Sequence, residues 1–351
     1  MSDPGRRERR NRRGRRLAGQ TIFLLVSLVS LYVLLPSLLE VFTSWRELFQ
    51  LKPAWVAVAL GVEALSFLAI WELQRIALQA RSWFPVSTSQ LAGNAFGRII
   101  PAGGAAAVAL QYRMLLQAGF PGGRIASALT GVSALLFGTV LALPLLSLPA
   151  FLAGTEIDPG LVQAALVGVG VFVVTLAGGA LVFLSDRPLR FVGALAERLV
   201  NRTLRRSRPM SELPDRLLRE RDFLRMAFGT RWKAAVLSSA GRWIFDYLAL
   251  LACLRAVGAE PRASLVLLAF VAASFLGMIP LTPGGLGFVE AGLTGMLALA
   301  GVGAAPAAVA TLAYRLISFW LPIPAGAAAY GLFWRRYRVA TIPPPVTRAM
   351  D

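Results

Sequence analysis

Histidine is absent from the 351 residues, cysteine occurs once, at Cys253, and lysine only at Lys52 and Lys233. Without histidine there is no imidazole general base and no zinc site of the His/Cys type, and a single thiol closes no intrachain disulfide. Charged residues are also scarce, 15% against 56% hydrophobic residues, and the mean hydropathy is +0.64. No soluble globular chain has that balance, and apolar runs this long must satisfy their backbone within helices, so the composition predicts an all-α polytopic membrane protein. Neither a nucleophile paired with a base nor a GxxxxGK[ST] loop is present. The expectation is therefore no enzyme, no cofactor and no nucleotide-driven pump. The net charge of +18 is almost all arginine and fits a GC-rich genome better than a chemical need.

What the chain does have is apolar length. The arm 1–16, MSDPGRRERRNRRGRR, directly precedes the apolar run 17–42. A signal peptide has a shorter apolar core and a small-residue cleavage site, so a retained first span with a topogenic basic arm fits better. Aromatic interleaving is missing from the arm, which argues against nucleic-acid binding. Five further runs, 54–74, 125–150, 161–184, 232–257 and 305–334, each reach the roughly 20 residues needed to cross a hydrocarbon core of about 30 Å. Two regions are broken instead. Residues 87–118 are split by Pro101, Gly103 and Gly104 into halves of about 20 Å, and residues 263–300 by Pro280, Pro283, Gly284, Gly285 and Gly287 into halves of about 22 to 26 Å.

Charge sets the parity of the crossings. The loop 185–231 carries twelve arginines and six acids, whereas TEIDPG around Glu156 has no cation, so the loop is expected on the cytoplasmic side with the N-terminal arm. An even number of crossings must precede it, which makes 87–118 a re-entrant hairpin. The same count from the loop to Arg335, Arg336 and Arg338 makes 263–300 a second hairpin, entering from the other side. Each hairpin then lies between two spans. Aligning PAGGAAAVALQYRMLLQAG (101–119) with PGGLGFVEAGLTGMLALAG (283–301) superposes the glycine pairs and the glycines that end each return helix, to within one residue. Six spans and two broken hairpins thus read as an inverted repeat, a transporter architecture.

Proline and glycine at such a break expose backbone N–H groups of the return helix, so Gly103/Gly104 and Gly284/Gly285 are a candidate anion site between two positive dipole ends. Close packing of small residues is the alternative reading of the same glycines. Ionisable residues in the spans are expensive and therefore informative. Arg98 precedes Pro101, and Glu290 is expected in the second turn after Gly285. Arg242 and Asp246 are four apart and share a helix face, as a structural or a functional pair. Arg315 needs a partner in the last span, with Glu290 the obvious one. Arg75, Arg81, Arg113 and Arg124 read as rim residues that snorkel. Glu63 is mid-span with no partner legible in the sequence, and Glu72 lies close to Arg75.

The pattern NAFGRIIPAGG followed by YR, together with PLTPGGLGFVEAG, resembles the flippase-type transmembrane region of the lysylphosphatidylglycerol synthase family, over about 17–336. By that resemblance Asn94, Arg98, Pro101 and Gly104 fall on its first motif, and Pro283, Gly284, Gly285, Gly287 and Glu290 on its second. Relatives often carry an acid directly after the first glycine pair, where Ala105 stands here. The family's bifunctional members add a soluble aminoacyl-transferase domain, for which the tail 337–351 is too short. The resemblance accordingly implies translocation of an anionic phospholipid, glycolipid or polyprenyl-phosphate lipid across the cell membrane, without aminoacylation and with no nucleic-acid or metal partner. A secondary transporter of a small soluble anion and a noncatalytic partner of a lipid-modifying enzyme are the alternatives. Residues 210–228 form an amphipathic segment suited either to the anionic inner leaflet or to a solvated linker helix.

Overall fold

The computed structural model describes residues 50–100, 103–143, 185–203, 228–278 and 283–337, with isolated positions between 145 and 222. Spans expected at 17–42 and 161–184, and most of the amphipathic segment 210–228, lie outside the described residues, as does Pro101. Every regular element within them is helical. The chain is an all-α polytopic membrane protein.

Among the described residues four helices have the length and apolarity to cross a bilayer: α1 (Pro53–Leu78), α4 (Gly122–Ala142), α6 (Trp232–Ala256) and the continuous stretch Ala304–Tyr337. Proline at the first position starts α1, where its missing N–H breaks nothing, and left-handed Gln79 stops it. Much apolar surface stays uncovered: Val58, Leu65 and Leu68 on α1 are exposed, and Leu237 on α6 is 73% exposed. An aqueous protein does not present such a surface, so lipid is its solvent.

Between these run shorter helices: α2 (Trp83–Ile99), α3 (Gly103–Gln117), α7 (Ala263–Met278) and α8 (Phe288–Leu299). At 1.5 Å per residue they are about 18 to 26 Å long, short of the roughly 30 Å core. Each broken region is an antiparallel hairpin. Gly93 of α2 lies against Ala107 of α3 while Gly97 lies against Gly103. In the second hairpin Gly277 meets Val289, and Leu265 and Leu268 cluster with Ala300 at the far end.

The last long stretch departs from a single regular span. It consists of α9 (Ala304–Arg315), a π-helical turn at Leu316–Trp320 and α10 (Pro322–Tyr337), an interruption the sequence reading does not include. The chemistry of Pro322 accounts for it: without an N–H, and with a ring that crowds the carbonyl four residues back, proline forces the ladder to widen. Leu321 N–H bonds to the Leu316 carbonyl at 2.9 Å, five residues back.

Packing brings the two halves together. α1 lies along α6, with Ala69 3.5 Å from where a Cβ on Gly241 would stand, and α4 covers both. α10 packs on α2, where Gly326 approaches the Leu91 carbonyl so closely that no side chain fits. Inside the charged loop the structure places an amphipathic helix, α5 (Asp186–Thr203). Its Asp186 accepts an ion pair from Arg221 at 2.6 Å.

Candidate functional site

The second break is locked from two directions. Gly284 has φ 58, and a Cβ on it would strike the Phe319 ring and approach the Arg98 carbonyl oxygen to 3.4 Å. Only glycine satisfies both the backbone angle and the space. Phe319 comes from the π-turn, and its ring lies under the guanidiniums of Arg315, at 4.2 Å, and Arg98, at 4.9 Å. Arg98 also donates to the Phe319 carbonyl. Arg315 donates from Nε to Glu290 Oε1 at 2.6 Å and from Nη2 to the Gly284 carbonyl at 3.2 Å. The end of α2, the PGG turn and the π-turn therefore form one junction between the two broken regions.

A second group sits where α1, α6 and α9 meet. Arg242 pairs with Asp246 at 2.8 Å, as their spacing on one helix face predicts. The Ser66 hydroxyl accepts from the Arg242 guanidinium and donates to the Arg242 carbonyl at 2.8 Å. Tyr314 donates its hydroxyl to Asp246 Oδ1 at 2.7 Å. Glu63, 4% exposed and one turn before Ser66, lies within electrostatic reach of Asp246, Arg242 and Arg98. Three guanidiniums and three carboxylates thus face a shared interior. Arg98 has no carboxylate within ion-pair distance among the described residues, its close partners being a carbonyl and a ring.

Two cavities flank this network and share no lining residue. One, of about 300 Å³, lies between α1, α2, α3 and α4 and is bordered by Gln74, Gln90, Asn94, Gln111 and Gly104. The other, of about 270 Å³, is bordered by Arg242, Tyr314, Arg315, Ser274, Trp243 and Gly284.

A family model described as Lysylphosphatidylglycerol synthase TM region matches residues 20–326. The chain belongs to this family. It is also similar to UPF0104 membrane proteins of Methanothermobacter thermautotrophicus. One is 36% identical over 91 residues, 26% of this chain and 27% of the relative; a second is 33% identical over 91 residues, 26% of each. A third is 33% identical over 85 residues, 24% of this chain and 25% of its own. The chain matches about a quarter of the length of these curated relatives.

For this lysylphosphatidylglycerol synthase TM region chain, the structure sorts the residues expected from sequence into three places. Arg98, Gly284, Glu290 and Arg315 meet at the junction; Arg242 and Asp246 join the α1–α6–α9 group; Asn94 and Gly104 border the first cavity. Pro283 opens the turn Pro283–Gly285. Two expectations need correction. The second return helix starts at Phe288 rather than at Gly284/Gly285, because Gly284, Gly285 and Gly287 all take positive φ and postpone helical geometry. Glu290 consequently stands in the first turn of α8, where its carboxylate already occupies the positive end of the helix. Of the glycine pairs, Gly104 opens on the first cavity and Gly284 on the second, while Gly103 is packed against the Gly97 backbone. For Gly103 the packing reading is the right one.

Several residues of the site escape the sequence reading. Ser66 and Tyr314 carry only a weak signal, as polar neighbours of Glu63 and Arg315. Gln90 carries a usable one: it stands four residues before Asn94, which places two carboxamides on one face of α2.

Proposed function

We propose that the protein moves a lipid with an anionic head group across the cell membrane and catalyses no covalent chemistry. The observation that carries this is the second cavity. Two guanidiniums, Arg242 and Arg315, border it beside a broken helix, and Arg98, which no carboxylate among the described residues pairs, stands next to the Gly284 turn. Arginine's planar fork matches phosphate oxygens. With the first turn of α8 occupied by Glu290, recognition of the anion passes from helix dipoles to these side chains. Membership of a lysylphosphatidylglycerol synthase TM region family agrees with a lipid as cargo.

Flipping of fluorescent phosphatidylglycerol in proteoliposomes, read by dithionite quenching, tests the reading. Wild-type protein is expected to accelerate it over empty vesicles. Arg98→Gln is expected to slow it at least roughly tenfold, the loss for one charge-assisted contact of about 1.5–3 kcal/mol, without lowering the yield of folded protein. Protein-containing vesicles that move the lipid no faster than empty ones overturn it; uptake of inorganic phosphate by the same vesicles would instead identify a soluble-anion transporter.

In the proposed topology both termini and the loop 185–231 are cytoplasmic, and both hairpins are re-entrant halves of an inverted repeat. The short antiparallel pairs α2–α3 and α7–α8 support this arrangement. Ser207→Cys in a Cys253→Ser background is expected to resist membrane-impermeant thiol reagents in intact cells and to react after lysis. Labelling from outside overturns the orientation.

A further inference from the structure

The first cavity has a chemistry of its own. Its polar border is made of carboxamides, Gln74, Gln90, Asn94 and Gln111, with the Ser133 hydroxyl, and no charged side chain lines it. The charged residues lie next door, which makes the segregation specific: Arg242 and Arg315 border the second cavity and none of the four amides does. Three of these amides are already oriented. Gln111 Nε2 donates to Gln74 Oε1 at 2.8 Å, and Trp71 Nε1 donates to Gln90 Oε1 at 2.9 Å. Each bond uses one end of an amide and fixes the other. The Gln74 and Gln90 amino groups, the Gln111 carbonyl and both ends of Asn94 remain, and none of them is sealed in protein without a partner. In a hydrocarbon surrounding, such groups are retained only where something polar meets them.

We propose that this cavity seats the uncharged, polyhydroxylated part of the transported head group, the hydroxyls of a sugar or cyclic polyol pairing with the four carboxamides. An amide offers a donor and an acceptor side by side, the complement of a pair of neighbouring hydroxyls, and carries no charge that a neutral ring would have to solvate. A cavity of about 300 Å³ stands at the lower end of small-molecule sites, about 300–1,000 Å³. It has room for one hydroxylated ring. Gly97 and Gly104 border it next to the Arg98 junction, so a ring here stands beside the guanidiniums that meet its phosphate. The proposal deepens the translocation reading and rests on it for the lipid, while the binding site stands on the cavity alone.

The test compares two probes of equal acyl composition, phosphatidylinositol and phosphatidic acid, which share the phosphate and differ in the ring. Affinity for the full-length detergent-solubilised protein is expected to be at least tenfold higher for phosphatidylinositol. Asn94→Leu, and separately the double variant Gln74→Leu/Gln111→Leu, which removes both partners of one bond, are expected to bring phosphatidylinositol down to the phosphatidic acid value. A melting temperature equal to that of the wild type certifies the fold of each variant. Equal affinity of the wild type for the two lipids means a merely hydrated cavity and overturns the proposal, as does a preference that survives in both variants. Displacement by free myo-inositol assigns the site to a soluble polyol; its failure to displace assigns it to a lipid-borne ring. If the vesicle assay detects no lipid movement while the preference holds, translocation falls and the hydroxyl site remains.

Discussion

Glu290→Gln is expected to lower the detergent melting temperature by roughly 6–12 °C, and adding Arg315→Gln to recover most of that loss. The pair is nine-tenths buried on both sides, with Nε to Oε1 at 2.6 Å. Removing one member of a buried ion pair leaves an uncompensated charge and costs about 3–5 kcal/mol, and about 1 kcal/mol moves the midpoint by about 2–4 °C in a domain of this order of size. Arg315 does not lose every contact, since the Gly284 carbonyl and the Phe319 ring remain, so the lower half of the range is the better expectation. The second removal takes away the charge that the first exposes, and the two effects are therefore strongly non-additive. Only one Glu290 oxygen is engaged; Oε2 is buried without a partner. A fixed structural pair needs no such free oxygen, whereas a carboxylate that exchanges Arg315 for a proton or a cationic group during transport does. Lipid flipping separates the two. A double variant that regains both stability and transport makes the pair structural, and one that regains stability alone gives Glu290 a part in the cycle.

Gly103→Ala is expected to abolish folded protein, while Gly104→Ala, one residue on, leaves yield and melting temperature within error. A Cβ on Gly103 would overlap the backbone of Gly97, and no rotamer change relieves a clash between two main chains. α2 and α3 would have to separate along the Gly93–Gly97 face. A Cβ on Gly104 meets nothing within 4 Å and faces the amide-bordered cavity, so its stability effect stays within about 0.5 kcal/mol. Comparing size-exclusion profiles of the two alanine variants decides the matter. A monodisperse Gly103→Ala protein of normal stability would contradict the α2–α3 packing. By the same logic Gly285→Val is no clean probe of anion binding. Gly285 has φ 72 and its Cβ would press on Val289, so that variant reports backbone strain before it reports transport.

Features with a local cause were legible in the sequence. Pro and Gly runs marked both breaks, and a four-residue spacing marked Arg242 with Asp246. Scarcity of charge in apolar helices paired Arg315 with Glu290. Features made by packing between distant segments were not. Glu63 meets Arg242 and Asp246 only because α1 and α6 approach closely at Ala69 and Gly241, and no spacing along the chain encodes that approach. The start of α8 was misplaced because proline and glycine announce a break but not how many residues it occupies. Three glycines at positive φ carried it on to Phe288. The cavities were invisible for the same reason as Glu63: Gln74 from α1 and Gln111 from α3 meet across 37 positions of sequence.

The π-turn at Leu316–Trp320 has a mechanical meaning. α9, before it, is clamped to α6 and α8, whereas α10, after it, is clamped to α2. The two rods of this one stretch of chain thus pack against different neighbours, and the widened turn is the covalent joint between them. There Pro322 and Pro324 offer no N–H to the helix ladder, so a change of angle between α9 and α10 breaks fewer backbone bonds than in a regular helix. Phe319, wedged between Gly284 and the guanidiniums of Arg98 and Arg315, ties that joint to the glycine break, so the bend of the last stretch and the second break share one side chain.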